Sequence, residues 1–143
     1  MARPTPAANE AALRAAFLPV QDPHERLALI THACAGTGLP TAARNEADLV
    51  PGCISLVWLC GAVAHGGLRL QWDAASPLVR GLAGLLCQIY QDCAAGDISA
   101  HRSHILADLG LERQLSPTRL RGLAAVEGRI HQLALDGPLT ETG

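Results

Sequence analysis

Residues 54–72 read ISLVWLCGAVAHGGLRLQW, and the period of the apolar side chains in this stretch decides the fold class. Ile54, Leu56, Trp58 and Cys60 alternate with Ser55, Val57 and Leu59 under a high β-branched and aromatic content, which predicts a strand buried on much of both faces. His65-Gly66-Gly67 supplies turn residues, and Leu68, Leu70 and Trp72 then alternate with Gly67, Arg69 and Gln71. The pair predicts a β-hairpin with one wetter strand.

Outward from the hairpin the period becomes helical. On the C-terminal side Ser76-Pro77 is a cap followed by proline at the first helical position, and Leu78, Leu82, Leu85, Leu86, Ile89 and Cys93 form a stripe that predicts a central buried helix stopped at Gly96. A shorter helix is expected from Ser99 to Leu109, ending at Gly110. Ser116-Pro117 opens a last helix with Leu120, Leu123, Val126, Ile130 and Leu133 on one face. On the N-terminal side Asp22-Pro23 starts a helix whose stripe is Leu27, Ile30 and Cys34, preceded by a short helix from about Asn9 to Phe17. Residues 1–8 are expected to be a disordered lead-in, and residues 41–52 a polar connector. Helices, a hairpin and helices again predict an α+β fold, a small antiparallel sheet packed against several helices. With 143 residues and no visible linker, residues 1–143 are expected to be one domain.

Composition narrows the classes of function. The chain is 49% hydrophobic and 17% charged, as a globular protein should be, and its 11 cations, all arginine, face 13 acids. Without a basic run or an aromatic-rich surface, nucleic-acid binding is not expected. No apolar run reaches the length of a membrane span, and the N-terminus carries Glu10 and Arg14 where a signal peptide would be apolar, so no membrane association is expected. Five cysteines without a C-x-x-C arrangement suit free thiols in a reducing cytoplasm.

One thiol differs from the rest. Cys53 follows Pro51-Gly52, a turn signal in which Gly52 is free to take positive φ and present the next side chain at a loop tip. The bland alternative is a buried cysteine acting as a small hydrophobe. Metal ligation by Cys53, His65, Asp73 or the His101 and His104 pair has no strong ligand spacing behind it, so no metal site is expected. Gly36-Thr37-Gly38 lacks a preceding strand and a lysine, so it is no phosphate loop. Arg44 and Arg119 read either as solvated arginines or members of structural ion pairs, or as cations that stabilise a thiolate or dock an acidic partner.

Six landmarks occur together: Asp22-Pro23 with Glu25-Arg26-Leu27; Leu39-Pro40; Arg44; Val50-x-Gly52-Cys53-x-Ser55-x-Val57-Trp58; Val79-Arg80-Gly81-Leu82; and Leu115-Ser116-Pro117-x-Arg119-x-x-Gly122-Leu123. On these, from about Leu13 to Leu133, the chain resembles the SufE family of cysteine desulfurase activators and sulfur acceptors. The resemblance implies a SufE/IscU-like fold and a sulfur relay. A pyridoxal-phosphate cysteine desulfurase (SufS-like) hands persulfide sulfur to Cys53, which delivers it to an iron-sulfur scaffold (SufB-like). By that resemblance Cys53 is the persulfide carrier, Arg119 an electrostatic partner of the thiolate or of the desulfurase, and Arg44, Asp48 and Gly52 position the loop. The chain itself would hold no cofactor, since the pyridoxal phosphate is the partner's, and would be an accessory acceptor rather than a free-standing enzyme. Val50, Ile54 and Leu56 could form a pocket into which Cys53 folds between encounters. Two departures stand out: Asp48 replaces the usual Asn, and Trp72-Asp73-Ala74-Ala75-Ser76 replaces Gly-Asp-Ser-Asp-Ala. The alternative function is a metal-binding or cluster scaffold with Cys53 as a ligand; a third is a regulatory domain that docks on a desulfurase without accepting sulfur.

Overall fold

The structure is a computed structural model, which describes residues 3–36, 38–40, 43–52 and 56–136. Cys53, Ile54 and Ser55 lie outside the described residues. Helices α1 (Pro6–Phe17) and α2 (Pro23–Ala33) lead through a 3₁₀ turn, Glu46–Asp48, to strands β1 (Val57–Ala64) and β2 (Gly67–Ala74). Helices α3 (Pro77–Tyr90), α4 (Ala95–Ser99) and α5 (Ile105–Asp108), a second 3₁₀ turn (Leu111–Arg113) and α6 (Pro117–Asp136) follow. The α+β class is as expected.

The long helices begin with a capping side chain followed by proline. Asp22 Oδ1 accepts from the N–H groups of His24 and Glu25 at 2.8 and 3.2 Å, and Ser76 and Ser116 hydroxyls accept from Val79 and Arg119 at 3.4 and 3.1 Å. Each cap satisfies donors that the first helical turn cannot, and proline there gives up an N–H that has no partner anyway. The same device starts α1 at Pro6, where the Thr5 hydroxyl accepts from Ala8 N–H at 3.2 Å. The expected lead-in of residues 1–8 therefore includes the first turn of a helix, and α1 begins earlier than Asn9.

The hairpin is antiparallel, with Val57 opposite Ala74 and Ala64 opposite Gly67. His65 and Gly66, both at positive φ (53° and 85°), make the two-residue turn, while Gly67 already belongs to β2. Opposed residues share a face, so Leu59, Leu68 and Leu70 point together at α3. The fully buried phase of β1 is Val57 and Leu59; Trp58 and Cys60 are only half-buried. Among the described residues the strand begins at Val57, and Leu56 before it is exposed; Ile54 and Ser55, where the expected strand started, lie outside them.

Helix α3 is the centre of the core, with Leu82, Leu85, Leu86, Ile89 and Tyr90 buried, and α1, α2, β2 and α6 all pack on it. Gly81 and Gly84 let α2 approach closely: a Cβ at Gly81 would lie 2.5 Å from the Thr31 Cα and carbonyl oxygen, and one at Gly84 would overlap the Cys34 carbonyl. Helix α3 ends at Tyr90, short of the expected Gly96. Residues 91–93 turn to the sheet instead: the Gln91 amide bonds Leu70 N–H and C=O at 2.6 and 3.1 Å, Asp92 N–H donates to Leu68 O at 2.7 Å, and Leu68 N–H donates to Cys93 O at 2.9 Å. The helix expected from Ser99 to Leu109 shrinks to α5, Ile105–Asp108; α4 ends at Ser99, and residues 100–104 join the two. Two carboxylates hold that joint. Buried Glu10 contacts His101 Nε2 at 2.6 Å and accepts from His104 N–H at 2.9 Å, while Glu127 accepts from Ser103 N–H at 3.0 Å and from the Tyr90 hydroxyl.

Candidate functional site

The site is the loop between two backbone pins. Leu49 bridges Trp58, and Val50 N–H donates to Val57 O at 2.9 Å, so residues 49–50 run antiparallel to the start of β1. Ala75 N–H, just beyond β2, donates to Leu56 O at 3.0 Å. The chain between these pins is residues 51–56, which contains Cys53. Pro51 and Gly52 form a turn, with Gly52 at φ 88°, a conformation costly for any residue with a Cβ. Gly52 is exposed, and a Cβ added there would lie 3.9 Å from the Ala125 Cβ on α6. Val50 is buried, whereas Leu56 is 50% exposed, so Leu56 faces solvent rather than the pocket expected of it; Ile54 lies outside the described residues.

Beneath the loop the connector is fastened by one carboxylate. Asp73, at the end of β2 and 1% exposed, accepts from Leu39 N–H (2.9 Å) and from Arg44 Nε and Nη2 (3.2 and 2.8 Å) on Oδ2, and from Ala74 N–H (2.8 Å) on Oδ1. Arg80 Nη1 stands 3.6 Å from Oδ1. Burial alone would raise this carboxyl's pKa, but the Leu39, Arg44 and Ala74 hydrogen bonds outweigh it and hold the group below its ordinary range. Arg44 also lies over the Trp58 ring, 4.7 Å from its centroid. Arg44 is thus tied to the sheet end that carries the loop.

The other expected site residues lie apart from one another. Asp48 ends the Glu46–Asp48 turn, which Asn45 caps by accepting from Ala47 N–H at 3.0 Å. Its charge bears on Cys60: burial first, then Asp48, push the Cys60 thiol's pKa up, against a lowering by Arg129. Arg119 sits in the first turn of α6 with Nη1 buried and without a hydrogen-bond partner. It is six residues from Ala125, about 9 Å along the helix axis and about 120° around it. The remaining thiols are poor nucleophiles. Burial pushes Cys34 up to about 11; burial, with Asp97 and Asp92 adding to it, pushes Cys93 up to about 11; and burial raises Cys87 as well.

Asp73 and Arg80 had no site role in the sequence reading, where Asp73 was weighed as a metal ligand and named in a departing segment, and Arg80 stood in a family landmark. The available signal was a carboxylate closing an apolar strand immediately before a helix cap. Among the described residues, no group of three or more His, Cys, Asp or Glu side chains is placed to hold a metal ion, and no helix is long and apolar enough to cross a membrane.

Comparison with known proteins follows the same outline. Residues 11–134 match the family model SufE, described as an Fe-S metabolism associated domain. The sulfur acceptor protein CsdE of Escherichia coli (strain K12) is 34% identical over 94 residues, 64% of this chain and 64% of CsdE, so the match spans less than two thirds of that relative. A solution structure of a hypothetical protein from Thermus thermophilus shares the fold, with a TM-score of 0.73 at 22% identity over 90% of this chain and 94% of that one. With the family model covering all but the two ends, this chain belongs to the SufE family.

Proposed function

We propose that the chain is a sulfur acceptor that takes persulfide sulfur from a pyridoxal-phosphate cysteine desulfurase onto Cys53 and passes it on for iron-sulfur cluster assembly in the cytoplasm. The observation that carries the proposal is the contrast among thiols. Cys34, Cys87 and Cys93 are buried with raised pKa values, and Cys60 is raised too, while Cys53 belongs to a loop pinned at both ends whose described residues, Pro51, Gly52 and Leu56, are exposed. Membership in a family associated with Fe-S metabolism, and similarity to a protein named as a sulfur acceptor, support the same reading.

The step is a transpersulfidation. The Cys53 thiolate attacks the outer sulfur of the desulfurase persulfide, the sulfur–sulfur bond on the desulfurase breaks, and its cysteine leaves as thiolate. One S–S bond forms as one breaks, so no oxidant or reductant is consumed. The pins at Val50 and Leu56 hold the base of the loop still while its tip meets the partner. Arg119, with an unpartnered buried Nη1, is the cation offered to the attacking thiolate or to the partner. The chain acts as an accessory acceptor and needs no cofactor of its own.

The test is intact-mass spectrometry after incubation with the organism's own cysteine desulfurases and free cysteine. One added sulfur atom on the wild type, none on Cys53→Ala, and about tenfold slower addition on Arg119→Gln are expected. If no desulfurase loads the wild type, or if Cys53→Ala is loaded and stimulates turnover equally, the proposal fails.

A further inference from the structure

An open groove of about 470 Å³ runs between α2 and the first turns of α3. Leu27, Ala28 and Leu78 make its floor, and His24, His32 and Arg80 stand around it. Among the described residues no acidic side chain lines it, in a chain with more acids than cations. Arg80 is incompletely used: among the described residues its one ion pair is the 3.6 Å approach of Nη1 to Asp73, a carboxylate already engaged by Arg44, and its side chain is 35% exposed. A guanidinium with unspent donors beside an apolar floor suits a segment that carries both an apolar anchor and a carboxylate.

The groove adjoins the acceptor loop. Pro77, on its α3 side, lies two residues beyond Ala75, whose N–H holds Leu56 O at 3.0 Å. Leu56, 50% exposed, and exposed Pro77 stand on either side of that hydrogen bond. A stable protein interface takes about 800 Å² and roughly 20 to 30 residues from each partner. A six-residue loop cannot supply that alone, and the groove is a concave surface next to it.

We propose that this groove is a docking site for the cysteine desulfurase, taking an apolar anchor of one of its surface segments on Leu27, Ala28 and Leu78 with a neighbouring carboxylate on Arg80. The proposal rests on the functional reading above, because it names the same partner. The variants Ala28→Arg, which blocks the floor, and His32→Glu, which sets an acid against the incoming carboxylate, alter exposed positions of a formed helix. Leu135→Glu, at the 68% exposed end of α6, is the control.

Binding of each full-length variant to the organism's purified cysteine desulfurases is measured by calorimetry, with sedimentation of each variant alone. The expected result is a Kd raised about tenfold by Ala28→Arg and by His32→Glu, with Leu135→Glu matching the wild type. Unchanged Kd in both groove variants, while the wild type binds and gains sulfur on Cys53, overturns the docking site and leaves the functional reading standing. A change in self-association with unchanged desulfurase affinity assigns the groove to a second copy of the chain and likewise overturns it. A wild type that neither binds nor accepts sulfur overturns both.

Discussion

Asp73→Asn is the sharpest perturbation of the scaffold beneath the loop. The carboxylate accepts four hydrogen bonds of 3.2 Å or less, two from backbone N–H groups and two from Arg44, and is 1% exposed. An amide oxygen in the Oδ2 position keeps Leu39 N–H and Arg44 but aims its NH₂ at Ala74 N–H. In the flipped orientation it opposes Leu39 and Arg44 instead. The cheaper orientation loses one buried backbone bond and weakens two charge-assisted ones, about 3 kcal/mol in sum. With an unfolding entropy of about 2.1 cal/mol/K per residue, a chain of 143 residues should lose about 10 °C of Tm at neutral pH. The pH dependence adds a second condition. Because the folded pKa is lowered, this stability is fully present above the unfolded value, about 3.9, and is lost as pH falls through the lower folded value. Thermal melts followed by circular dichroism should therefore show a constant gap between wild type and variant from pH 7 to 5 that closes below about pH 4. A gap under about 2 °C, or one that persists unchanged into strong acid, refutes the account of Asp73 as an ionised hub.

Two further outcomes follow from the packing. Gly84→Ala drives a Cβ into the Cys34 carbonyl and should part α2 from α3, costing more than about 3 kcal/mol in urea unfolding; a loss within about 1 kcal/mol would mean that the helices are not in backbone contact there. Thiol labelling of the native chain at pH 8 should leave Cys34, Cys87 and Cys93 unmodified. At a pKa of about 11 only about one Cys34 or Cys93 thiol in a thousand is thiolate, and all five cysteines should react once urea is added, as peptide mapping can follow.

Much of the fold was legible because it is locally encoded. Asp22-Pro23, Ser76-Pro77 and Ser116-Pro117 each start a helix where cap chemistry says they should. The hairpin followed from alternation and a His-Gly turn. Thr5-Pro6 carries the same cap signal but was lost among the small residues of the N-terminus. The errors between residues 91 and 104 have another origin. The apolar stripe of α3 continues to Cys93, yet residues 91–93 bond the edge of β2, some twenty residues back in the chain, and residues 103–104 bond Glu127 and Glu10. Local propensity carries no trace of such partners. In the site, Pro51-Gly52 was readable as a turn because positive φ at Gly52 is a backbone property. The placement of Arg44, Asp48 and Arg119 depends on what surrounds each side chain, and the charge of Asp48 bears on Cys60.

The two buried carboxylates have one structural job between them. Glu10 fixes the joint between α4 and α5, and Asp73 fixes the connector that leads to the loop containing Cys53. Both segments are irregular, so their N–H groups have no ladder or helix to satisfy them, and an ionised acceptor repays its own desolvation only when several donors converge on it. The described ends of the loop at 51–56 are held differently, by single backbone bonds at Val50 and Leu56, with Gly52 supplying the turn. Neither pin involves a buried charge, whereas the connector before Val50 is tied to the sheet through Arg44 and Asp73. Disorder introduced by Asp73→Asn should accordingly spread from residues 39–44 toward Val50, and amide hydrogen exchange should speed up at Leu39 and Val50 while the Leu59 and Leu70 amides in the hairpin keep their protection. Equal acceleration throughout the hairpin would show that Asp73 stabilises the whole sheet rather than the base of the loop.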